Sequence, residues 1–285
     1  MNVGAYAGAY SMTHYSVPGQ VGLGQPRPYS ANLPSDRKLA YSTHRIPISE
    51  NEWLEAWQIP SEAPPKGTVL LFHGNGSNKA NHLLPSAQRF HQLGYDTWLV
   101  DFRGVGGSSG STSTLGIRES EDVAVSLSYV QSLAPTSPFI LYGISLGSVS
   151  VLKAAADKAV NVDALILEQP FLTLLEAVRA RVSASRMPTF PMAELIVFWG
   201  SVQHGFNGFA HNPVSDAAQI TLPVLLMQGE KDPWVTMAEI NQLFESFRGY
   251  KQLTTFPTAA HSLLLAEDTE KWTAAVSQFL SAVSR

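Results

Sequence analysis

The chain predicts an α/β fold, a mostly parallel sheet with helices on both faces. Three observations carry this. Nearly uninterrupted apolar runs at Thr68–Phe72, 139–142, 164–167 and 224–227 are bounded by turn residues, as in strands buried on both faces. Between them lie segments with apolar residues at helical spacing. Strand then alternates with helix down most of the 285 residues, which means βαβ units.

The elements follow in order. Residues 1–35 are rich in Gly, Tyr, Pro and Ser, and Arg27 is their only charged side chain. They lack the basic start and continuous apolar stretch of a secretory signal. They are expected to be poorly ordered or to lie on the domain surface. Residues 36–285 are read as one domain. Strand-like runs at 39–48 and Trp53–Ile59 open it, and the turn Ala63-Pro64-Pro65 follows. After the strand Thr68–Phe72, Leu83, Ala87 and Phe90 mark a helix. A strand at 95–100 and a helix at 117–133 come next, the latter with Val123, Leu127 and Val130 on one face. The strand at 139–142 leads into a helix at 149–159, and 164–167 is another strand. Beyond 224–227, Ile240, Leu243, Phe244 and Phe247 mark a helix, Lys251–Phe256 is a short strand, and Trp272, Val276, Phe279 and Val283 define the closing helix. More than fifty residues separate the strands at 164–167 and 224–227. That is too long for a bare loop in a compact domain. It reads as an inserted cap of short helices, about 172–211, broken by Pro188, Pro191, Gly200, Gly205 and Gly208.

Composition narrows the function classes. Apolar residues make up 45% and charged residues 15%, the balance of a globular enzyme. The net charge of -4 without like-charge blocks gives no nucleic-acid footprint. The absence of cysteine excludes disulfides, thiolate metal sites and cysteine nucleophiles. No apolar run reaches membrane-spanning length. A cytoplasmic protein is expected, and nothing in the sequence sets its oligomeric state.

The chemistry centres on Gly143-Ile144-Ser145-Leu146-Gly147, directly after one strand and before a helix. A serine on so sharp a turn has a strained backbone and an exposed hydroxyl, and its flanking glycines let neighbouring segments pass. Gly106-Gly107-Ser108-Ser109-Gly110 fits the same string but lacks that context, so it reads as a glycine-rich loop. A serine hydroxyl needs a base, and the strand-turn-helix context predicts the chain order Ser, acid, His. His261 is the only histidine beyond Met227, in a loop at the carboxyl edge of the sheet. Asp232, just past the strand at 224–227, is the candidate that orients it, ahead of Glu230 and Glu168. An oxyanion needs two amide donors. The N–H groups of Leu146 and Asn75 are the candidates, Asn75 lying in the loop His73-Gly74-Asn75-Gly76. His73 is expected to brace that loop. Asp101 and Arg103 are read as a loop-bracing pair. Asn75-Gly76-Ser77 matches a glycosylation acceptor without a secretion signal to support it.

With these motifs in order, the chain resembles the α/β-hydrolase superfamily from about residue 39 onward. Within it, the chain looks like the esterase, monoglyceride-lipase and serine-aminopeptidase-like group with a helical cap. The resemblance implies a sheet of about eight strands, no cofactor, no metal, and acyl transfer to water. The expected partner is a small-molecule ester or acyl substrate, with a thioester open and nucleic acid excluded. Two other readings stand beside it. An aminopeptidase or amidase would need an acidic group near the site, for which Glu176 and Glu194 are the cap's candidates. A non-catalytic binding protein on the same scaffold is the other. The apolar cap residues Phe190, Leu195, Ile196, Val197, Phe198, Trp199 and Phe206 either shape an acyl pocket or pack the cap. Arg179, Arg181 and Arg186 either meet a substrate carboxylate or phosphate or form a solvated face.

Overall fold

The computed structural model describes residues 1–14, 32–134, 138–157 and 160–283. Its frame is one eight-stranded sheet in the order β1-β2-β4-β3-β5-β6-β7-β8. The strands are β1 (Ser42–Pro47), β2 (Trp53–Ile59), β3 (Thr68–Phe72), β4 (Asp96–Val100), β5 (Phe139–Ile144), β6 (Ala164–Glu168), β7 (Val224–Gly229) and β8 (Lys251–Phe256). The β1–β2 and β2–β4 pairs are antiparallel, and all the others are parallel. The short turn after β1 permits antiparallel return, whereas the later strands are joined by helical crossovers.

Side-chain alternation divides the core in two. Leu70 and Phe72 of β3 face one layer, with Val123 and Leu127 of α3 (Glu119–Leu133), Val149 and Leu152 of α4 (Leu146–Asp157), and Ile240 and Leu243 of α8 (Met237–Ser246). Val69 and Leu71 face the other layer, with Ala87 and Phe90 of α2 (Leu84–Gln92) and Trp272, Val276 and Phe279 of α10 (Thr269–Val283). The two-residue period of a strand makes this division inevitable once helices cover both faces. The short helices α7 (Pro213–Ala217) and α9 (Leu264–Glu267) complete the frame.

A third apolar cluster lies apart from the sheet. It joins α5 (Leu174–Ala184) and α6 (Met192–His204), which fall in the stretch read as a cap, to α1 (Asn2–Thr13). Within the stretch expected to be poorly ordered or to lie on the domain surface, Asn2–Thr13 form a helix lying on α6. The sequence concealed it, because Gly4 and Gly8 are weak helix formers and no polar face offsets the apolar one. Packing overrides propensity here. Ala5 and Ala9, one turn apart, are both buried, and a Cβ on Gly8 would touch Ile196 at 3.4 Å. Small side chains let the two helices approach closely. Residues 15–31 of the expected extension lie outside the described residues.

From β3 the chain steps to β4 on one side, and from β4 it crosses back over β3 to β5 on the other. Such a reversal opens a crevice at the carboxyl ends of the strands, where ligands gather in open α/β sheets. The loops after β3, β5, β7 and β8 all emerge at that edge.

Candidate active site

The turn between β5 and α4 holds Ser145 in the left-handed region, at φ 53°. A non-glycine residue there is strained, and such strain persists only where surroundings enforce it. They do so here. The Ser145 N–H donates to the Glu168 carbonyl at 2.7 Å, and the Ser148 hydroxyl donates to the carbonyls of Gly143 and Glu168, both at 2.7 Å. The glycines are forced by space. A Cβ at Gly143 would lie 2.4 Å from the Gly147 backbone, and one at Gly147 would lie 2.2 Å from the Phe72 carbonyl.

Three residues distant in the chain converge. The Ser145 Oγ lies 3.0 Å from Nε2 of His261, and Nδ1 of His261 lies 2.7 Å from Oδ2 of Asp232. Asp232 is the first acidic residue past the turn after β7, and its side chain is fully buried. Its Oδ2 also accepts from the Gln228 amide at 2.9 Å, and its Oδ1 from the Trp234 N–H at 2.8 Å. Burial pushes this carboxyl up, but His261 and these donors outweigh it and hold it below its ordinary value. Asp232 thus stays ionised beside the imidazole.

The competing residues are occupied elsewhere. Glu230 accepts from the Thr255 hydroxyl at 2.7 Å. Glu168 sits beneath the sheet edge, accepting from Tyr142 Oη at 2.6 Å and Trp272 Nε1 at 2.5 Å. Ser108, of the alternative motif, is fully buried; its Oγ donates to the Asp101 carbonyl at 2.6 Å and accepts from the Glu55 N–H at 2.8 Å. Asp101 and Arg103 each brace a loop, through different partners. Asp101 binds the buried Lys79, which also meets Glu55 at 2.7 Å. Arg103 meets Asp122 at 2.7 Å. Lys79 belongs to a turn of helix after β3 that the sequence reading passed over, and that turn carries the ammonium back to the end of β4.

The loop after β3 is braced by two histidines. His73 Nδ1 pairs with the Gly74 carbonyl at 2.8 Å, and its Nε2 accepts from the Phe102 N–H at 3.2 Å. Its ring is thereby occupied on both sides and holds the neutral form that burial favours. His82, which the sequence reading missed, accepts from the Gly74 N–H at 2.9 Å through Nδ1. Burial, with His73 and His261 nearby, pushes its pKa down to about 3. A Cβ on Gly74 would lie 2.8 Å from the His82 ring, so the sequence signal for this brace was the glycine itself.

Asn75, Gly76, Ser145 and Leu146 share a cavity of about 320 Å³, of a size that takes a small ligand. Phe171 and, on α5, Leu174, Ala177, Val178 and Arg181 line one side, and Ser11, Met12 and His14 bring α1 to its wall. Of the apolar residues singled out between Phe190 and Phe206, those on α6 divide between packing and exposure. Ile196 and Val197 pack against α1 and α5, while Phe190 and Phe198 are exposed. Arg179 binds Glu176 at 2.6 Å and Glu194 at 2.5 Å. Among the described residues, no group of three or more His, Cys, Asp or Glu side chains is arranged to hold a metal, and no helix is long and apolar enough to cross a membrane.

Comparison with known proteins places this geometry in context. A family model described as serine aminopeptidase, S33, matches residues 63–203, and one described as the dienelactone hydrolase family matches 180–284. An uncharacterized protein, YqkD, of Bacillus subtilis is 25% identical over 78% of this chain and 72% of its own. The mouse lysophosphatidylserine lipase ABHD12 is 24% identical over 69% of this chain, a match spanning 51% of the lipase. The solved structure of the Pyrococcus furiosus esterase Pf2001 superposes with a TM-score of 0.76 at 21% identity, over 94% of this chain and all of that one. Est1E from Butyrivibrio proteoclasticus, solved with ferulic acid bound, gives 0.66 at 18% identity, over 84% of this chain and 98% of that one. The sheet order, the strained turn and the likeness to the solved esterases show the α/β-hydrolase fold, and in sequence the chain is similar to the two hydrolase family models.

Proposed function

We propose that this protein hydrolyses a carboxylic ester through an acyl-enzyme on Ser145. The observation that carries the reading is the continuous contact from Ser145 Oγ to His261 Nε2 and from His261 Nδ1 to Asp232, at 3.0 and 2.7 Å. Ser145 Oγ attacks the ester carbonyl carbon as its proton passes to His261 Nε2. The carbonyl π pair moves onto oxygen, and the N–H groups of Asn75 and Leu146 receive that charge. Both residues line the cavity beside Ser145. Collapse of the tetrahedral species breaks the C–O bond, and the imidazolium proton leaves with the alcohol. Water, deprotonated by the same imidazole, then releases the acid and restores Ser145. Asp232 holds the imidazole in the required tautomer. A thioester would follow the same steps with a thiol as leaving group.

The ester reading is preferred to removal of an N-terminal amino acid. A free ammonium calls for a carboxylate beside the site. None is found among the described residues lining the cavity, and Glu176 and Glu194 are both committed to Arg179. The relatives named as esterases and as a lipase support the same preference.

The test is covalent. A fluorophosphonate probe is expected to label the wild-type protein at Ser145, and Ser145→Ala to lose the label with its melting temperature kept. Undiminished labelling of the Ala variant, or a wild-type protein that neither reacts nor turns over p-nitrophenyl butyrate, overturns the reading.

A further inference from the structure

The cap carries three arginines between residues 179 and 186, and they differ in what they meet. The Arg179 guanidinium is held by two carboxylates. Arg186 is exposed. Arg181, on α5, lines the same cavity as Ser145. It is half-buried, its Nη1 donates to the Ala177 carbonyl at 2.8 Å, and its guanidinium carbon lies 5.0 Å from the centre of the Trp234 ring. Among the described residues, no carboxylate lies within ion-pair distance of it.

A guanidinium partly withdrawn from water and left without a counter-charge is unfavourable. Burial lowers its proton affinity, and the more distant Asp232 only partly restores it. A purely structural arginine would gain by facing solvent, as Arg186 does, or by taking a carboxylate, as Arg179 does. Arg181 does neither. The Trp234 face and the Ala177 carbonyl fix the planar group at the cavity wall, and its other N–H bonds are left for whatever occupies the cavity. A fixed guanidinium fork matches a carboxylate or phosphate in two parallel hydrogen bonds.

We propose that Arg181 is a specificity-determining residue that receives an anionic group, a carboxylate or phosphate, on the ester substrate. This rests on the hydrolase reading of Ser145. The substrate is then an ester with one negatively charged arm, and the charge seats at Arg181 while the carbonyl lies over Ser145. A neutral ester of similar size enters the same cavity without that contact.

Three matched esters test this: p-nitrophenyl butyrate, which is neutral; p-nitrophenyl hemiglutarate, charged on the acyl side; and 4-(butanoyloxy)benzoate, charged on the alcohol side. In Arg181→Gln, kcat/KM for one charged ester is expected to fall roughly 10–100-fold, mainly through KM. The neutral ester is expected to lose several-fold less than that charged ester, and Arg181→Lys to recover part of the difference. The arm that responds shows which side of the ester bears the charge. Equal losses on all three esters would mean that Arg181 supports the fold or Asp232, and would overturn the proposal, as would no loss on any. Calorimetric titration of glutarate and of benzoate into Ser145→Ala, with and without Arg181→Gln, reads the contact without turnover. Binding of one of them that Arg181→Gln abolishes supports the anion site even where the hydrolase reading fails. Binding that is equal in both proteins, or absent from both, overturns it.

Discussion

Oδ2 of Asp232 lies 2.7 Å from Nδ1 of His261, and the same oxygen accepts from the Gln228 amide. The imidazole is therefore fixed with its proton on Nδ1 and a lone pair on Nε2 toward Ser145. Asp232→Asn keeps the shape and removes the charge. Its amide is expected to favour the opposite tautomer, which leaves Nε2 protonated and unable to accept. We expect kcat to fall about 10⁴-fold with little change in KM. Steady-state rates on an aryl ester, beside a thermal melt showing retained fold, check this. A loss under tenfold would count against Asp232 as the orienting acid.

Glu168 is a buried carboxyl with a raised pKa, about 7, because desolvation outweighs its hydrogen bonds from Tyr142 and Trp272. The folded state therefore holds this proton more tightly than the unfolded chain does. The resulting stabilisation is complete below the ordinary glutamate value of 4.5 and is lost as pH rises toward about 7. Glu168→Gln keeps an acceptor for both donors and cannot ionise. Between pH 5 and 8 its melting temperature is expected to fall less than that of the wild type, with a difference worth about 1–3 kcal/mol at the upper end. Parallel melting curves across that range would exclude an ionising Glu168.

Much of this was legible in the sequence, for identifiable reasons. The buried strands β3, β5, β6 and β7 announce themselves because a parallel strand covered on both faces needs apolar residues at every position. Ser145 was legible because its motif fell between a strand and a helix, and His261 because no other histidine follows Met227. Helix α1 was not. A helix whose contact face is Ala5, Gly8 and Ala9 has no periodic signal until α6 is placed against it. Lys79 was missed for a related reason: a lone lysine reads as surface, and only the fold brings Asp101 and Glu55 to meet it. Arg179, Arg181 and Arg186 were legible as a group, but partner geometry alone separates Arg181 from Arg179.

His82 couples a half-buried ring to the loop that carries Asn75. Its Nδ1 accepts from the Gly74 N–H, and removing it leaves that donor buried without an acceptor, at a cost of about 1–3 kcal/mol. In His82→Ala the loop is expected to loosen and kcat to fall roughly tenfold, the scale of a displaced oxyanion donor rather than a lost base. A second signature follows from its lowered pKa of about 3. The neutral ring stabilises the fold fully above the ordinary histidine value of 6.5, and that contribution is lost as pH falls toward 3. Acid destabilisation of the wild type over that window is expected to be steeper than that of His82→Ala. Denaturant melts at pH 7 and pH 4.5 compare them, and equal slopes would contradict the assignment.

The last prediction concerns α1. Its C-terminal end is pinned to the loop before α3, where the Ser113 N–H donates to the Thr13 carbonyl at 2.8 Å. Its length is held by Ala5 and Ala9 against α6 and by Tyr6 edge-on to Trp199, with ring centres 5.6 Å apart. Through Ser11, Met12 and His14 it supplies one wall of the cavity. Ala9→Glu places a carboxylate at a buried position within this apolar cluster. The helix is expected to undock, because detaching it costs less than burying an unpaired charge. The sheet, Ser145 and His261 do not depend on α1, so kcat for p-nitrophenyl butyrate should stay within about twofold, while KM should rise roughly five- to twentyfold as the cavity opens. A matched fall in kcat would mean that α1 supports the reacting groups themselves. Unchanged kinetics, with α1 shown by hydrogen exchange to have lost protection, would remove it from the substrate wall.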